Sequence, residues 1–362
     1  MDLDGMIWRA LISGWDAFAD YVTNHTLTCL VPALFIAGAI AAFVKKEAIL
    51  KYFGPNVRRY VSYPLAATSG IVLAVCSCTI LPLFAGIYKK GSGIGPATAF
   101  LYSGPAINVL AIVYTASALG YDLGAARAVS AIVMSVVIGA YMSIVFRKHD
   151  RELIKGALKK GQLIPPILGS NRRRWVVPLF FSFLTGILVL GASSIDWIIK
   201  GPIMGAILIS LMILIAKMFE KDEIKDWWLE TWDLTKKIVP ILIVGAFAVG
   251  VIAYFIPPST FKDLLGNEGL TANFLAAVIG AILYMPTLLE VPIIGETFGY
   301  NEGIMGSGPA LSLLLAGPAV SLPNMIVLYR IMGARKTAFY IALVIMISTM
   351  AGHIYGNLIV QG

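Results

Sequence analysis

Apolar residues fill this chain in runs of about 20 residues, the length at which an α-helix crosses the hydrocarbon core of a bilayer. Short polar or basic segments separate the runs. Eight runs predict spanning helices: 27–45, 95–119, 125–146, 174–198, 201–218, 238–257, 308–330 and 337–360. Two further apolar stretches, 62–90 and 271–292, are interrupted by proline and predict either a single crossing or a re-entrant hairpin.

Composition supports the membrane interpretation. The 362 residues are 58% hydrophobic and 13% charged, and the mean hydropathy is +0.83. A soluble domain carries roughly 25% charged residues, so this chain has too little polar surface to cover a water-soluble globule. These values exclude a soluble enzyme, a disordered protein and a repeat scaffold. They predict an all-α integral membrane protein whose partner is the lipid bilayer.

Positive charge indicates which loops share one side of the membrane. Basic residues cluster in the segments 45–62, 88–94, 147–174, 217–237 and 330–336. If 62–90 enters the membrane and returns, all these segments lie on the cytoplasmic side, as Lys and Arg prefer. Of the 28 Lys and Arg residues, 24 then lie inside and four outside, namely Arg9, Arg127, Lys200 and Lys262. The charge of +8 is therefore a topology signal, and no nucleic acid partner is expected.

The chain also contains an internal repeat. The stretch 95–108 matches 308–321 without a gap, and Pro82 upstream aligns with Pro292. Loops at equivalent positions carry opposite charge, with Lys89 and Lys90 in one unit and acidic residues in the other. Opposite charge is what inverted insertion predicts, and inverted repeats with broken helices are typical of secondary transporters.

The expected architecture is about eight transmembrane helices plus two re-entrant segments in two inverted-topology repeats. An interfacial N-terminal helix occupies 1–26, and the first membrane repeat occupies 27–146. A basic cytoplasmic loop, two linking helices and a charged loop fill 147–237, and the second repeat occupies 238–362. The chain is expected to cross the membrane several times, and the sequence leaves a homo-oligomer open.

A Cys-x-Cys pair lies in the first re-entrant segment. The predicted solute-binding residues there are Cys76, Cys78, Thr79 and Pro82. Two thiols that converge at a helix break suit a soft centre such as As(III), Cu(I) or Zn(II), because thiolate is a soft donor. The alternative is that both cysteines are small buried packing residues.

Two Gly-Pro pairs interrupt the helical pattern at equivalent positions of the repeats. Each proline is expected to start a half-helix within the membrane that aims free N–H groups at a ligand. The residues predicted to bind substrate at these breaks are Gly104, Pro105, Asn108, Gly317, Pro318, Ser321 and Asn324. Asn108 and Ser321 are expected one turn into the half-helices. A kinked helix repaired by its neighbours is the alternative.

Glu290 is a carboxylate in the second proline-interrupted stretch. An ionisable group at membrane depth is costly and marks a proton or ion site, so Glu290 is the predicted coupling residue. The alternative places it in contact with water near the outer interface.

These residues resemble a known family. The run from Cys76 to Pro82, then Lys89-Lys90-Gly91 and the segment 95–108, is similar to the predicted permeases that include ArsP organoarsenical efflux permeases and YraQ-type proteins. The resemblance implies an inner-membrane permease, and its ArsP branch implies export of trivalent organoarsenicals through the region of Cys76 and Cys78. The chain departs from the ArsP pattern at Ala74-Val75, where those permeases have Thr-Pro.

The function predicted from the sequence is a secondary permease, not an enzyme, that exports a small thiophilic or metalloid solute by alternating access. The alternative is a membrane thiol–disulfide or electron-transfer protein that uses the Cys-x-Cys pair. No phosphate-binding loop occurs, so an ion gradient or a separate ATPase would supply the energy. No cofactor is predicted.

Overall fold

The computed structural model describes residues 3–20, 31–43, 62–67, 77–89, 91–148, 150, 152, 175–192, 197–255, 262–283 and 290–360. All regular structure within these ranges is helical. The main helices are α1 (Leu3–Asp20), α2 (Val31–Phe43), α3 (Ser77–Lys89), α4 (Ile94–Ala106), α5 (Val109–Leu119), α6 (Tyr121–Val145), α7 (Val176–Ala192), α8 (Trp197–Met218), α9 (Lys221–Phe255), α10 (Leu270–Ile282), α11 (Ser307–Ala316), α12 (Leu322–Met332) and α13 (Ala334–Ile354). Short helical turns also occupy the 290–297 segment, and a π-helical stretch extends α13 through Tyr355–Val360.

Several helices have the length and composition of membrane spans. Among the described residues, Tyr121–Val145, Lys200–Met218 and Ala334–Asn357 qualify alone. A fourth span results if Ile94–Ala106 and Ala111–Leu119, bent by 44°, are one crossing. Large apolar side chains on α6 and α8 point away from the protein, with Val129 63% and Met212 62% exposed. Such outward apolar faces are stable in lipid, which confirms an all-helical, multi-pass membrane protein.

Two predicted spans are wrong as continuous helices. The predicted span 95–119 is divided into α4 and α5 by a break at Ile107 and Asn108. The predicted span 308–330 is divided into α11 and α12 by residues 317–321. Each division follows a Gly-Pro pair, where proline removes a backbone donor and crowds the preceding turn. The polar backbone groups freed by the two breaks therefore lie inside the helix bundle.

The two proline-interrupted stretches also consist of separate helical pieces. In the first, a turn of helix at 62–67 is followed by α3, which packs on α2 and α4. In the second, α10 packs on α11 and α13, and the 290–297 segment contacts α5. The residues between the pieces lie outside the described ranges, so the re-entrant path remains a prediction.

The segment 217–237 differs from the loop that its charges predict. Helix α9 runs without interruption from Lys221 to Phe255, so 221–237 continues directly into the predicted span 238–257. Asp222 and Glu223 lie in its first turn, where carboxylates stabilise the positive end of the helix dipole. The charged residues are thus presented on an extension of a spanning helix.

Four of the basic segments meet at one end of the molecule. Lys336 Nζ donates a hydrogen bond to the Tyr88 hydroxyl at 3.0 Å, which joins the start of α13 to the end of α3. Lys89 Nζ lies 2.8 Å from Asp233 Oδ2 on α9, and the Ile94 N–H donates to Asp150 Oδ1 at 3.1 Å. These contacts agree with the expectation that 88–94, 147–174, 217–237 and 330–336 share one side.

The outer helices pack around this bundle. Helix α1 lies against α9, where Gly14 faces Phe247 and Val251, while Trp8 and Trp15 remain more than half exposed. Helix α7 packs on α8 and reaches α2 through an edge-to-face contact of Phe180 and Phe43, whose ring centroids lie 5.5 Å apart. The division of the chain into four segments stays a prediction.

Candidate functional site

The half-helices after the two breaks begin later than the Gly-Pro pairs suggest. Pro105 lies in the last turn of α4, and Pro318 lies in the turn that follows α11. Helix α5 begins at Val109 and α12 at Leu322, so neither proline starts a half-helix, contrary to the prediction. The proline near the start of α12 is Pro323, where its missing N–H costs little.

The polar residues of the breaks lie just before or at the start of the half-helices. Asn108 immediately precedes α5, and Ser321 is the N-cap residue of α12, so the prediction that they lie one turn in is wrong. All three predicted polar residues, Asn108, Ser321 and Asn324, are buried. Ser321 Oγ and Asn324 Oδ1 have no hydrogen-bond partner among the described residues. Because buried polar atoms are nearly always paired, these two atoms are candidates to contact a ligand, a water molecule or a residue outside the described ranges.

The cysteine pair is described only in part. Cys76 lies outside the described residues. Cys78 and Thr79 belong to the first turn of α3, and Pro82 lies within that helix. The convergence of the two thiols on a solute therefore remains a prediction.

Glu290 is the central group of the site. It opens the 290–297 segment, and its side chain is completely buried. Its Oε2 lies 3.3 Å from Arg127 Nη2 on α6, which is also completely buried. A carboxylate and a guanidinium at this distance form an ion pair that satisfies much of the charge of both groups inside the bundle. The alternative that Glu290 contacts water near an interface is wrong, because its side chain is completely buried.

Arg127 was missed by the sequence reasoning, which counted it among the outer topology charges. It lies only a few residues after the polar start of α6 and therefore looks like a residue of the adjoining loop. The signal that could have found it is its position within a 25-residue apolar helix, where an arginine is costly without a partner. Lys200 is also buried, at 4% exposure, so two of the four residues assigned outside are not surface charges.

Thr115 and Gly317 complete the surroundings of the pair. Thr115 Oγ1, on α5, accepts a hydrogen bond from Arg127 Nη1 at 2.8 Å and itself donates to the Ala111 carbonyl. Glu290 Oε1 faces Gly317, where a Cβ atom would lie 2.5 Å from it. The carboxylate therefore lies directly against the backbone at the second helix break. Glu290 Oε1 and Arg127 Nε have no hydrogen-bond partner among the described residues.

Tyr102 joins the two helices that carry the breaks. Its hydroxyl, fully buried on α4, lies 3.3 Å from the Leu315 carbonyl on α11. The same hydroxyl lies 3.3 Å from the Met134 sulfur on α6. Leu315 is in the last turn before Gly317, so this bond ties the first break to the second. The ion pair and both breaks thus form one buried polar region.

Close glycine contacts occur at matching positions in the two halves. Gly95 on α4 approaches Gly139 on α6, and Gly308 on α11 approaches Gly352 on α13. At the breaks, Gly104 faces the Ile80 side chain as Gly317 faces Glu290. At Gly95, Gly139, Gly308 and Gly352 a glycine is needed because a Cβ would lie within 3 Å of a backbone carbonyl of the facing helix. At Gly104 and Gly317 the nearest facing atoms belong to side chains.

Carboxylates accept hydrogen bonds from the first residues of α4 and α11. Asp150 binds the Ile94 N–H, and Glu268 binds the N–H groups of Ser307 and Gly308 at 2.7 and 2.8 Å. Burial raises the pKa of Asp150, while the Ile94 hydrogen bond and the charge of Lys336 lower it. His353, at the far end of α13 from Lys336, lies 3.1 Å from the Glu268 carbonyl. The N–H groups at the starts of α4 and α11 are therefore already bound by carboxylates of the protein itself.

Within the described ranges, no group of three or more His, Cys, Asp and Glu side chains is arranged to hold a metal ion. The buried groups instead provide one fixed cation, one carboxylate and several neutral hydrogen-bonding atoms between broken helices. Charged and polar groups held inside a bundle with apolar outer faces define an integral membrane protein with a polar region inside its helix bundle.

The comparisons with known proteins agree with this class. The predicted permease family ArsP_1 matches residues 12–357, and the chain belongs to this family. Membership of this predicted permease family supports a role in membrane transport.

The curated relatives belong to the same group. The UPF0718 protein MJ0584 of Methanocaldococcus jannaschii is 40% identical over 98% of both chains. The UPF0718 protein YraQ of Escherichia coli is 23% identical over 89% of this chain and 75% of its own length. A third, YcgR of Bacillus subtilis, is 27% identical over 34% of this chain and 41% of its own. No solved structure matches the chain. The resemblance noted from the sequence is thus confirmed, whereas the thiol–disulfide alternative gains no support.

Proposed function

We propose that this protein is a secondary permease that moves a small thiophilic or metalloid solute across the cell membrane by alternating access. The single observation that carries the proposal is the buried Arg127–Glu290 pair, which lies against the second helix break. Secondary transporters place their sites where broken helices meet near the membrane midplane. The family membership supports transport, and the pair supports a specific place for it.

Matching contacts support two structural repeats. The sequence register that aligns Gly95 with Gly308 also aligns Gly139 with Gly352, and these glycines form the same close approach in each half. The register that aligns Pro82 with Pro292 also aligns Ile80 with Glu290, and both face the glycine of their break. Side chains that differ in chemistry but occupy the same contact are what a divergent repeat produces.

Contacts between the two halves support a two-fold relation. Helix α12 of the second half packs on α3 of the first, and α5 of the first packs on the 290–297 segment of the second. The equivalent helices α6 and α13 also touch each other. This reciprocal pattern is typical of two units related by a pseudo-two-fold axis, and opposite loop charge favours an axis in the membrane plane. One unit rocking against the other would then expose the site to each side in turn.

The solute site is proposed at the breaks and in the first re-entrant segment. Cys76 and Cys78 supply soft donors for a trivalent arsenical or a similar centre, with Thr79 and Pro82 beside them. The break residues supply neutral contacts, because Ser321 and Asn324 have buried atoms without partners in the described ranges. Glu290 is proposed as the coupling residue. Export across an inner membrane follows the ArsP branch of the resemblance.

Transport by the purified full-length chain in proteoliposomes tests the proposal. The panel contains methylarsenite, inorganic arsenite, Cu(I), Zn(II) and small sulfur anions. We expect at least one thiophilic solute to move faster than in empty liposomes. The double variant Cys76→Ser with Cys78→Ser should abolish that transport, whereas the matched control Cys29→Ser should retain it. Unchanged transport in the double variant would show that the two thiols do not bind the solute. Absence of transport for every solute of the panel would contradict the permease proposal.

A further inference from the structure

We propose that Arg127 is the fixed counter-charge of Glu290 and that the ion coupled to transport is a proton bound by this pair. The inference rests on the proposed permease function and identifies its coupling ion. It begins from geometry, since both side chains are fully buried and their charged atoms lie 3.3 Å apart.

The pair joins the two halves of the molecule. Arg127 belongs to α6, in the segment predicted as the first repeat, and Glu290 begins the 290–297 segment of the second. Thr115 on α5 holds the other terminal nitrogen of the guanidinium at 2.8 Å, so the cation is fixed to the first half. Among the described residues, the ion pair with Arg127 is therefore the one bond that joins the Glu290 carboxylate to the first half.

The surroundings favour a proton over a metal cation. Glu290 Oε2 is occupied by the guanidinium, and Oε1 faces the backbone of Gly317. A sodium ion at this carboxylate would lie close to a fixed positive charge in an interior of low dielectric constant, where like charges repel strongly. No cluster of other carboxylates lies among the described residues to balance it. A proton instead binds covalently to one oxygen and needs no further ligands.

Several helices place groups around the carboxylate. Arg127 from α6 and Tyr102 from α4 are the charged and titratable neighbours, and Tyr340 of α13 lies close to Tyr102. Thr115 of α5 and Gly317 of the break carry no titrating group. Among these described groups, Glu290 is the one carboxylic acid, and it is the group that we expect to exchange a proton with water when the site opens.

Protonation changes the net charge of the pair from zero to plus one. The proton adds to a Glu290 carboxylate oxygen, and no other bond breaks. Arg127 keeps its positive charge and its hydrogen bond to Thr115. A buried guanidinium without its partner is strongly unfavourable, so the protonated state requires water or a solute group beside Arg127. Deprotonation restores the neutral pair and the buried arrangement that the structure shows. Proton binding and opening of the site are therefore linked.

Infrared difference spectroscopy on the reconstituted full chain tests proton binding without any solute. On acidification we expect the carbonyl stretch of a buried, protonated carboxylic acid, which Glu290→Gln should remove. The control Glu302→Gln, in an exposed turn of the same unit, should leave the band unchanged. A spectrum that Glu290→Gln does not alter would overturn the proposal, whether or not a transported solute has been found.

The role of Arg127 has its own readout. Arg127→Gln removes the cation that favours the carboxylate, so half-maximal band intensity should move to about tenfold lower proton concentration or beyond. The double variant Arg127→Gln with Glu290→Gln lacks both charges of the pair and serves if the single variant fails to fold. It should show no band. If the titration of the band is not shifted in Arg127→Gln, Arg127 does not act as the counter-charge of Glu290, which would contradict the inference.

Coupling is then measured with whichever solute the panel identifies. Accumulation driven by a pH gradient should be lost in Glu290→Gln and retained in the control Glu302→Gln. Accumulation that follows a sodium gradient at constant pH would overturn proton coupling. If the wild type accumulates no solute although the infrared band is assigned to Glu290, the failure lies in the proposed permease function.

Discussion

The two helix breaks have matching glycine contacts and different chemistry. At the first break Gly104 faces Ile80, and at the second Gly317 faces Glu290. A Cβ added to either glycine would lie at nearly the same distance from the facing side chain, 2.6 Å at Gly104 and 2.5 Å at Gly317. The two sites differ in that an apolar side chain fills one and a carboxylate fills the other. A shared scaffold thus carries a charged group on one side only.

Arg127, the partner of that carboxylate, lies in the first half and has no charged counterpart in the second. In the register that aligns Gly95 with Gly308, Arg127 aligns with Tyr340 and Thr115 with Leu328. The cation and its anchor therefore belong to the first half and the anion to the second. One half supplies a fixed charge and the other supplies the group that can change its charge, and the predictions below test this division.

The largest effect is expected from breaking the ion pair. Arg127→Ala or Glu290→Ala leaves an unpaired buried charge, which destabilises a protein by about 3–5 kcal/mol. The apolar pair Arg127→Met with Glu290→Leu should have a free energy of unfolding within about 1 kcal/mol of that of the wild type, or above it. The reason is that neither charge of the pair is then buried. The free energy of unfolding in detergent, or the apparent Tm, measures both. The counterpart Ile80→Leu at the first break is the matched control and should change stability little. Equal effects of the single and double variants would contradict a buried ion pair.

The next effect is expected from filling the glycine at each break. Gly317→Ala pushes the carboxylate away from Arg127 and also crowds the Leu313 carbonyl, so it should cost about 2–3 kcal/mol. Gly104→Ala meets the flexible end of Ile80 and should cost about 1–2 kcal/mol. Ile80→Val removes the nearest methyl group and should restore much of the stability of Gly104→Ala. If the two alanine variants behave alike and Ile80→Val restores nothing, the contacts at the breaks differ from those described.

How much of this site the sequence reveals depends on the residue. Glu290 stands in an apolar stretch beside Pro292, and the cost of a carboxylate there is enough to single it out. The Gly-Pro pairs locate the breaks, but α5 and α12 start a few residues later, because Pro105 still belongs to the last turn of α4 and Pro318 to the turn that follows α11. Ser321 and Pro323 together form the N-cap and N-terminal proline pattern that gives the true start of α12. Arg127 and Glu290, by contrast, are 163 positions apart, and no local rule pairs them.

A smaller effect is expected from the anchor of Arg127. Thr115→Val keeps the shape of the side chain and removes the oxygen that accepts from the guanidinium, at a cost of about 1.5–2 kcal/mol because the donor is charged. Thr349→Val is the matched control, since within the described part of the chain the Thr349 hydroxyl donates to the Ile345 carbonyl of its own helix. The difference in the free energy of unfolding between the two variants isolates the bond to Arg127. No difference would show that Thr115 does not hold the cation, although the ion pair would be unaffected.

The smallest effect compares the two carboxylates at the helix starts. Glu268 accepts two backbone N–H groups, at Ser307 and Gly308, so Glu268→Gln turns an amide donor toward one of them and should cost about 1 kcal/mol. Asp150 accepts one N–H, from Ile94, and the side-chain oxygen of Asp150→Asn can still accept it. That variant should therefore cost no more than about 0.5 kcal/mol. Thermal unfolding of the two variants side by side measures the difference, and a larger loss in Asp150→Asn would mean that charge rather than the number of hydrogen bonds sets the stability of these helix ends.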